Sequence, residues 1–172
     1  MSEQRGHNER NDLAGEHALS DIGQLVLFVI FIAAWILDSV IFSYSTFIAD
    51  YVPLYVRVPL AIIVLLSAGY LAKKSHGMVF REVREEPRVI RNGVYNIVRH
   101  PMYLGALLLY LGLLVLTFSL IASGIWILII IFYYFNSKHE EKRLLDKFGK
   151  DYEDYKNEVP MLIPRIRRKQ TL

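Results

Sequence analysis

"PMYLGALLLYLGLLVLTFSLIASGIWILIIIFYYF", residues 101–135, contains no charged side chain. As a single helix it would be about 50 Å long, well beyond the roughly 30 Å hydrocarbon core of a bilayer. The stretch therefore reads as two short spans, 101–117 and 119–136, with a tight reversal around 117–123. A hairpin of that kind returns the chain to the membrane surface from which it started. Two more apolar runs precede it. Residues 22–44 are interrupted only by Asp38, and residues 53–72 carry Arg57 near one end. Each is long enough to cross. The first begins about twenty polar residues into the chain and lacks a basic n-region or a small-residue cleavage site, which predicts a retained span.

The expected fold is all-α: a polytopic integral membrane helical bundle of four to five transmembrane helices. Four spans are the minimum, and a tilted or broken helix adds a fifth. Behind a polar tail, 1–20, residues 21–172 read as one domain. Composition agrees, because 53% hydrophobic residues beside 22% charged ones require the two kinds to be segregated. There is no cysteine, which excludes disulfides, thiolate metal sites and cysteine nucleophiles.

Basic residues set the expected orientation. Residues 73–100 carry seven Lys/Arg against three acidic residues, and 137–172 carry ten against seven. The 45–56 connection has no Lys or Arg, and 117–123 has no charge. A multi-pass protein of the cell membrane is expected, with both termini and the basic central segment on the cytoplasmic side. The same asymmetry explains the pI near 9.1 and predicts attraction to anionic membrane lipids. The basic residues flank spans and lack a nucleic-acid-binding module, so no nucleic acid partner is expected.

Polar chemistry collects at two places. The segment "HGMVFREVREEPRVIRNGVYNIVRHP", 76–101, is too polar to cross, yet it is rich in Val, Ile, Phe and Tyr. Pro87 and Asn92-Gly93 are turn signals. Pro101 suits the first turn of a helix. His100 then stands at a helix start, with amides around it suited to a carboxylate or phosphate. After the hairpin, Leu144, Leu145, Phe148, Tyr152 and Tyr155 make one apolar stripe at helical spacing. Glu140 and Glu141 lie one turn before that stripe, and a buried carboxylate needs a partner. The hairpin makes Arg99-His100 and Glu140-Glu141 neighbours.

Simpler readings compete. Arg99 also suits a positive-inside anchor, His100 a capping group, and the two glutamates a solvated helix start facing the dipole. Tyr152 and Tyr155 read as packing aromatics, Gly105 and Gly112 as small residues for close helix contact, and Asp38 as a structural group near the outer interface. No ligand spacing supports a metal site on His100, His139 and Glu141.

"GVYNIVRHPMYLG", 93–105, followed by an uncharged hairpin and "EEKRLLDKFGKDYEDYKNEVPMLIP", 140–164, resembles the isoprenylcysteine carboxyl methyltransferase family of integral membrane enzymes. The likeness covers about residues 73–165 and is to a prokaryotic, archaeal member. Relatives of the RHP-x-Y-x-G element also occur in phospholipid methyltransferases and sterol reductases. The resemblance implies S-adenosylmethionine as methyl donor. It assigns donor contacts to Pro87, Arg88, Val89, Ile90, Tyr95, His100, Pro101, Met102, Tyr103, Glu140 and Glu141, within the segments 73–105 and 136–165. Arg99 and Glu141 become the expected catalytic pair, with Arg99 holding an acceptor carboxylate. The implied acceptor is lipid-like, a prenylated cysteine or similar lipophilic thioether. Family members often place an arginine just before the acidic pair, where this chain has Asn136, Ser137 and Lys138. The alternatives are a phospholipid amine N-methyltransferase, an NADPH-dependent reductase of the sterol type, and a non-catalytic membrane scaffold.

Overall fold

The computed structural model describes residues 18–80 and 89–164. All its regular elements are helical: α1 (Ala18–Ile36), α2 (Leu54–Phe80), α3 (Pro101–Thr117), α4 (Leu120–Phe148) and α5 (Lys150–Glu158). Short 3₁₀ turns at Phe47–Tyr51 and Gly93–Asn96 complete the order. Three helical stretches, Ser20–Phe42, Leu54–Met78 and Leu120–Phe148, are long and apolar enough to cross a membrane, and α3 is a shorter apolar helix. This is the expected all-α membrane bundle.

The hairpin reverses in two residues. Phe118 takes the left-handed conformation, φ 50°, and Ser119 caps α4 by accepting the Ala122 amide at 3.0 Å. From Leu120 the helix runs without a break to Phe148, because no proline or glycine interrupts it after Gly124. The polar half of α4 is thus a rigid extension of its apolar half. The chain bends only at Gly149, φ +54°, from which α5 departs.

α2 and α3 lie against each other over small residues. A Cβ at Gly105 would stand 3.3 Å from the Ala68 carbonyl oxygen, and one at Gly112 would run into the Leu65 side chain. The two backbones approach as small-residue membrane interfaces do. On its other side α3 joins α1 and α4 in a core of Phe31, Leu107, Tyr110, Leu114, Ala122, Ile129 and Tyr133.

A buried carboxylate ties the end of the bundle remote from His100. α1 continues into a single wider turn, Leu37–Phe42, which brings Asp38 inward. Asp38 accepts from the Ser45 amide at 2.9 Å and from the Ser45 and Ser119 hydroxyls, each at 2.5 Å. Ser45 in turn accepts the Ile121 amide at 3.1 Å. Three chain segments converge on one side chain, so its role is structural. Asp38→Ala strands these buried donors and is expected to cost about 1–3 kcal/mol. A detergent melt measures this; an unchanged melting temperature would contradict the structural role.

Candidate active site

The polar cluster stands where α3 begins. The segment leading into it is strapped down by α5 and the tail beyond. Val89 packs with Tyr152, Tyr155 and Val159. The Tyr155 hydroxyl donates to the Tyr95 carbonyl at 2.6 Å, and Arg91 pairs with Asp151 at 2.6 Å. Then the Arg99 amide donates to the Pro160 carbonyl at 2.9 Å and the His100 amide to that of Met161 at 3.1 Å. These two amides stand just before the first turn of α3. They are engaged by the returning tail, whose irregular, proline-bounded backbone offers carbonyls at that place.

Arg99 and Glu141 form a buried ion pair, with side chains 8% and 2% exposed. The guanidinium donates to Glu141 Oε1 through Nε at 2.9 Å and Nη2 at 2.7 Å. Its Nη1 reaches the carbonyls of Lys156, 2.5 Å, and Val159, 2.7 Å. Arg99 therefore clamps α4 to the end of α5. Its bonds run to protein oxygens, an arrangement suited to holding Glu141 in place. Arg99 is placed as a positioning residue, and it holds Glu141.

His100 is buried between both glutamates. Its Nε2 lies 3.3 Å from Glu141 Oε1 and its Nδ1 3.4 Å from Glu140 Oε2. Burial alone would push its pKa down, but the two carboxylates outweigh it and hold it above the ordinary histidine value. The ring stacks on Tyr103, with centroids 5.5 Å apart and planes 3° from parallel. Tyr103 donates its hydroxyl to Glu140. Asn136 closes the chain of bonds by donating to the Tyr103 oxygen at 2.8 Å and to Ser20 Oγ at 2.6 Å. A continuous polar relay thus runs Ser20, Asn136, Tyr103, Glu140, His100, Glu141, Arg99, across α1, α3 and α4.

The structure brings His100, Tyr103, Glu140, Glu141 and Arg99 together. Tyr95 stands beside them. Burial first, and the nearby Glu140 charge second, push its hydroxyl pKa up. Pro101 is buried as the first residue of α3. Val89 belongs to the α5 cluster, and Ile90 is half-buried next to it in sequence. Met102 points elsewhere, 41% exposed, into a groove against α2. Pro87 and Arg88 lie outside the described residues.

Asn136 is the residue that sequence reading undervalued, since it entered only as a departure from an arginine. Three more polar atoms on the same stretch of α4, Ser137 Oγ, Glu141 Oε2 and Arg143 Nη1, are buried without a hydrogen-bond partner. Native interiors seldom leave such atoms unpaired; Ser137 and Glu141, one turn apart, share a face of α4, while Arg143 points about 200° away from Glu141. Lys156 Nζ approaches Glu141 Oε2 only to 3.7 Å. The sequence signal was available for Ser137, which precedes Glu141 by four residues and shares its helix face.

Residues 58–151, more than half the chain, match the family described as phospholipid methyltransferase. The chain belongs to that family. Among its relatives is the methanethiol S-methyltransferase of Crocosphaera subtropica, 29% identical over 86% of this chain and 50% of that protein. Methanethiol S-methyltransferase 2 of Bradyrhizobium diazoefficiens is 38% identical over 42% of this chain and 27% of its own length. The protein-S-isoprenylcysteine O-methyltransferase of Schizosaccharomyces pombe is 32% identical over 58% and 43% respectively. This phospholipid methyltransferase family member thus spans half or less of the length of these relatives. In fold it is similar to a eukaryotic intramembrane Ras methyltransferase, isoprenylcysteine carboxyl methyltransferase, with a TM-score of 0.62 at 20% identity over 88% of this chain and 54% of that one. The resemblance carried by the RHP element and the acidic tail thereby meets relatives and a structural neighbour of the same name.

Proposed function

We propose that the protein transfers a methyl group from S-adenosylmethionine to a lipid-like acceptor at the cytoplasmic face of the membrane. The observation that carries this reading is the relay of His100, Tyr103, Glu140 and Glu141 beside the unpartnered buried Ser137 Oγ and Glu141 Oε2 of α4. Such a donor set suits a ligand that presents both charges of an amino acid, ribose hydroxyls and an aromatic base. Glu140 or Glu141 would take an ammonium or a hydroxyl, and the amide end of α3 near Met102 and Tyr103 an anionic group. Ile90 and Tyr95 offer apolar surface for a base. When bound, the sulfonium supplies an already activated methyl, so the protein's contribution is alignment. The family match and the methyltransferase relatives support methyl transfer over dinucleotide-dependent reduction.

Within this reading the chain's residues have distinct tasks. Arg99 fixes Glu141 and locks α5 over the site. His100, whose pKa the two carboxylates raise, lies between Glu140 and Glu141 and bridges them. Tyr103 and Asn136 set the rotamer of Glu140 from the bilayer side. None acts as a nucleophile. An ionised carboxylate or a thiolate acceptor also needs no general base at neutral pH, whereas a protonated amine does.

The acceptor enters as a prenylated cysteine carboxylate or a similar lipophilic thioether. A homologous series with one head group and a shortening chain tests this in purified protein with labelled donor. Each CH₂ lost from a buried position is expected to cost about 0.8 kcal/mol, roughly fourfold in kcat/KM. For a carboxylate head the rate stays flat from about pH 6 to 8, away from its pKa. Equal turnover of short soluble acceptors would contradict entry from the lipid. A steep rise over that pH window would reassign the acceptor to an amine, as in phospholipid N-methylation.

A further inference from the structure

A concavity lies on a different face of α3 from Tyr103, between α3 and the last turns of α2, with a volume of about 880 Å³. It exists because side chains are missing from an otherwise lipid-facing surface. Gly69, Ala72, Gly105 and Ala106 form its walls, and a Cβ at Gly69 would meet nothing within 4 Å. Lys73 and Lys74, both exposed, stand at its polar end, and no acidic residue lines it among the described residues. From there it extends along α3 as far as Leu109, about 12 Å from the helix start at Pro101. One end is thus cationic at the membrane threshold, and the other is apolar at acyl-chain depth.

We infer that this groove holds one anionic glycerophospholipid, its phosphate on Lys73 and Lys74 and an acyl chain along Gly69, Ala72 and Ala106. The charge complementarity is that of a lysine pair with a phosphodiester, and the leaflet expected on this side is the anionic one. The walls offer two cations, the His76 imidazole and hydrocarbon, so the groove selects the charge of a head group. Phosphatidylglycerol, whose head has neither an amine nor a carboxylate, satisfies it completely. The proposed occupant is thus a bound membrane lipid.

Native mass spectrometry of the full chain released from nanodiscs of equal phosphatidylglycerol and phosphatidylcholine tests this. Phosphatidylglycerol is expected to remain bound at least fivefold more often than phosphatidylcholine. K73Q/K74Q should abolish the preference. Gly69→Leu, whose Cβ would meet nothing within 4 Å, puts a side chain into the groove, keeps both charges, and should lower phosphatidylglycerol retention at least threefold. Neither substitution touches the relay, so S-adenosylhomocysteine binding, which reports an intact fold, should be unchanged in both. Undiminished retention in Gly69→Leu would overturn the proposal, since the lysines would then act as ordinary interfacial charges. Equal retention of the two lipids would do the same. So would lipid-free dimers that dissociate on Gly69→Leu, which would give the groove to a second copy of the chain.

Discussion

Glu141→Ala is expected to destabilise the protein by about 3–5 kcal/mol, the largest effect of any single side chain at the site. The reason is what it leaves behind. Arg99 would keep its charge in a place where its side chain is 8% exposed, with the Nε and Nη2 donors stripped of their acceptor. His100 would lose one of the two carboxylates that raise its pKa. Adding Arg99→Met to this variant removes the orphaned charge and should recover part of the loss. Recovery stays incomplete, because the Lys156 and Val159 carbonyls then lack their donor. The Arg91–Asp151 pair is the internal control. Its side chains are 34% and 58% exposed, so Asp151→Ala should cost at most about 1 kcal/mol. Thermal melts in detergent read all of these, and a Glu141→Ala protein melting like its parent would contradict the clamp.

The second large effect concerns His100. Its pKa in the fold is raised by Glu140 and Glu141 against the opposing effect of burial. A group whose folded pKa exceeds its unfolded value contributes stability that is fully present below the unfolded pKa, about 6.5, and is lost as pH rises through the folded one. The parent protein should therefore lose stability as pH is raised from about 6.5 through that higher folded value. His100→Gln should be less stable at pH 6 and show a flatter profile. His100→Ala also removes the ring stacked on Tyr103 and frees both glutamates to repel each other. Donor binding should weaken more than tenfold, about 1.4 kcal/mol or more.

The bundle itself was legible because its signals are local. An uncharged run too long for one crossing must turn back, and Ser119, which caps α4, sits inside the predicted reversal. The small residues at 105 and 112 announced a close helix pair in the same way. The site was only half legible. That Arg99-His100 would meet Glu140-Glu141 followed from the hairpin, but which atom each would hold did not. Arg99 is satisfied partly by backbone carbonyls of residues 156 and 159, and carbonyls leave no mark in a sequence. Neighbours along a helix diverge by about 100°. That angle sends Met102 to the α2 groove while Tyr103 faces Glu140, and it sends Glu140 and Glu141 to different partners. The turn at 37–42 was hidden for a related reason. Its cause is Asp38 reaching Ser45 and Ser119, the latter 81 residues away.

Calorimetric titration of the purified protein with S-adenosylhomocysteine, beside NADPH, separates methyl transfer from reduction. S-adenosylhomocysteine is expected to bind and NADPH not to, and His100→Ala is expected to weaken the first by more than tenfold while a protein altered at Asp151 keeps parental affinity. Parental affinity in a folded His100→Ala protein, or binding of NADPH in preference, would contradict the proposed function.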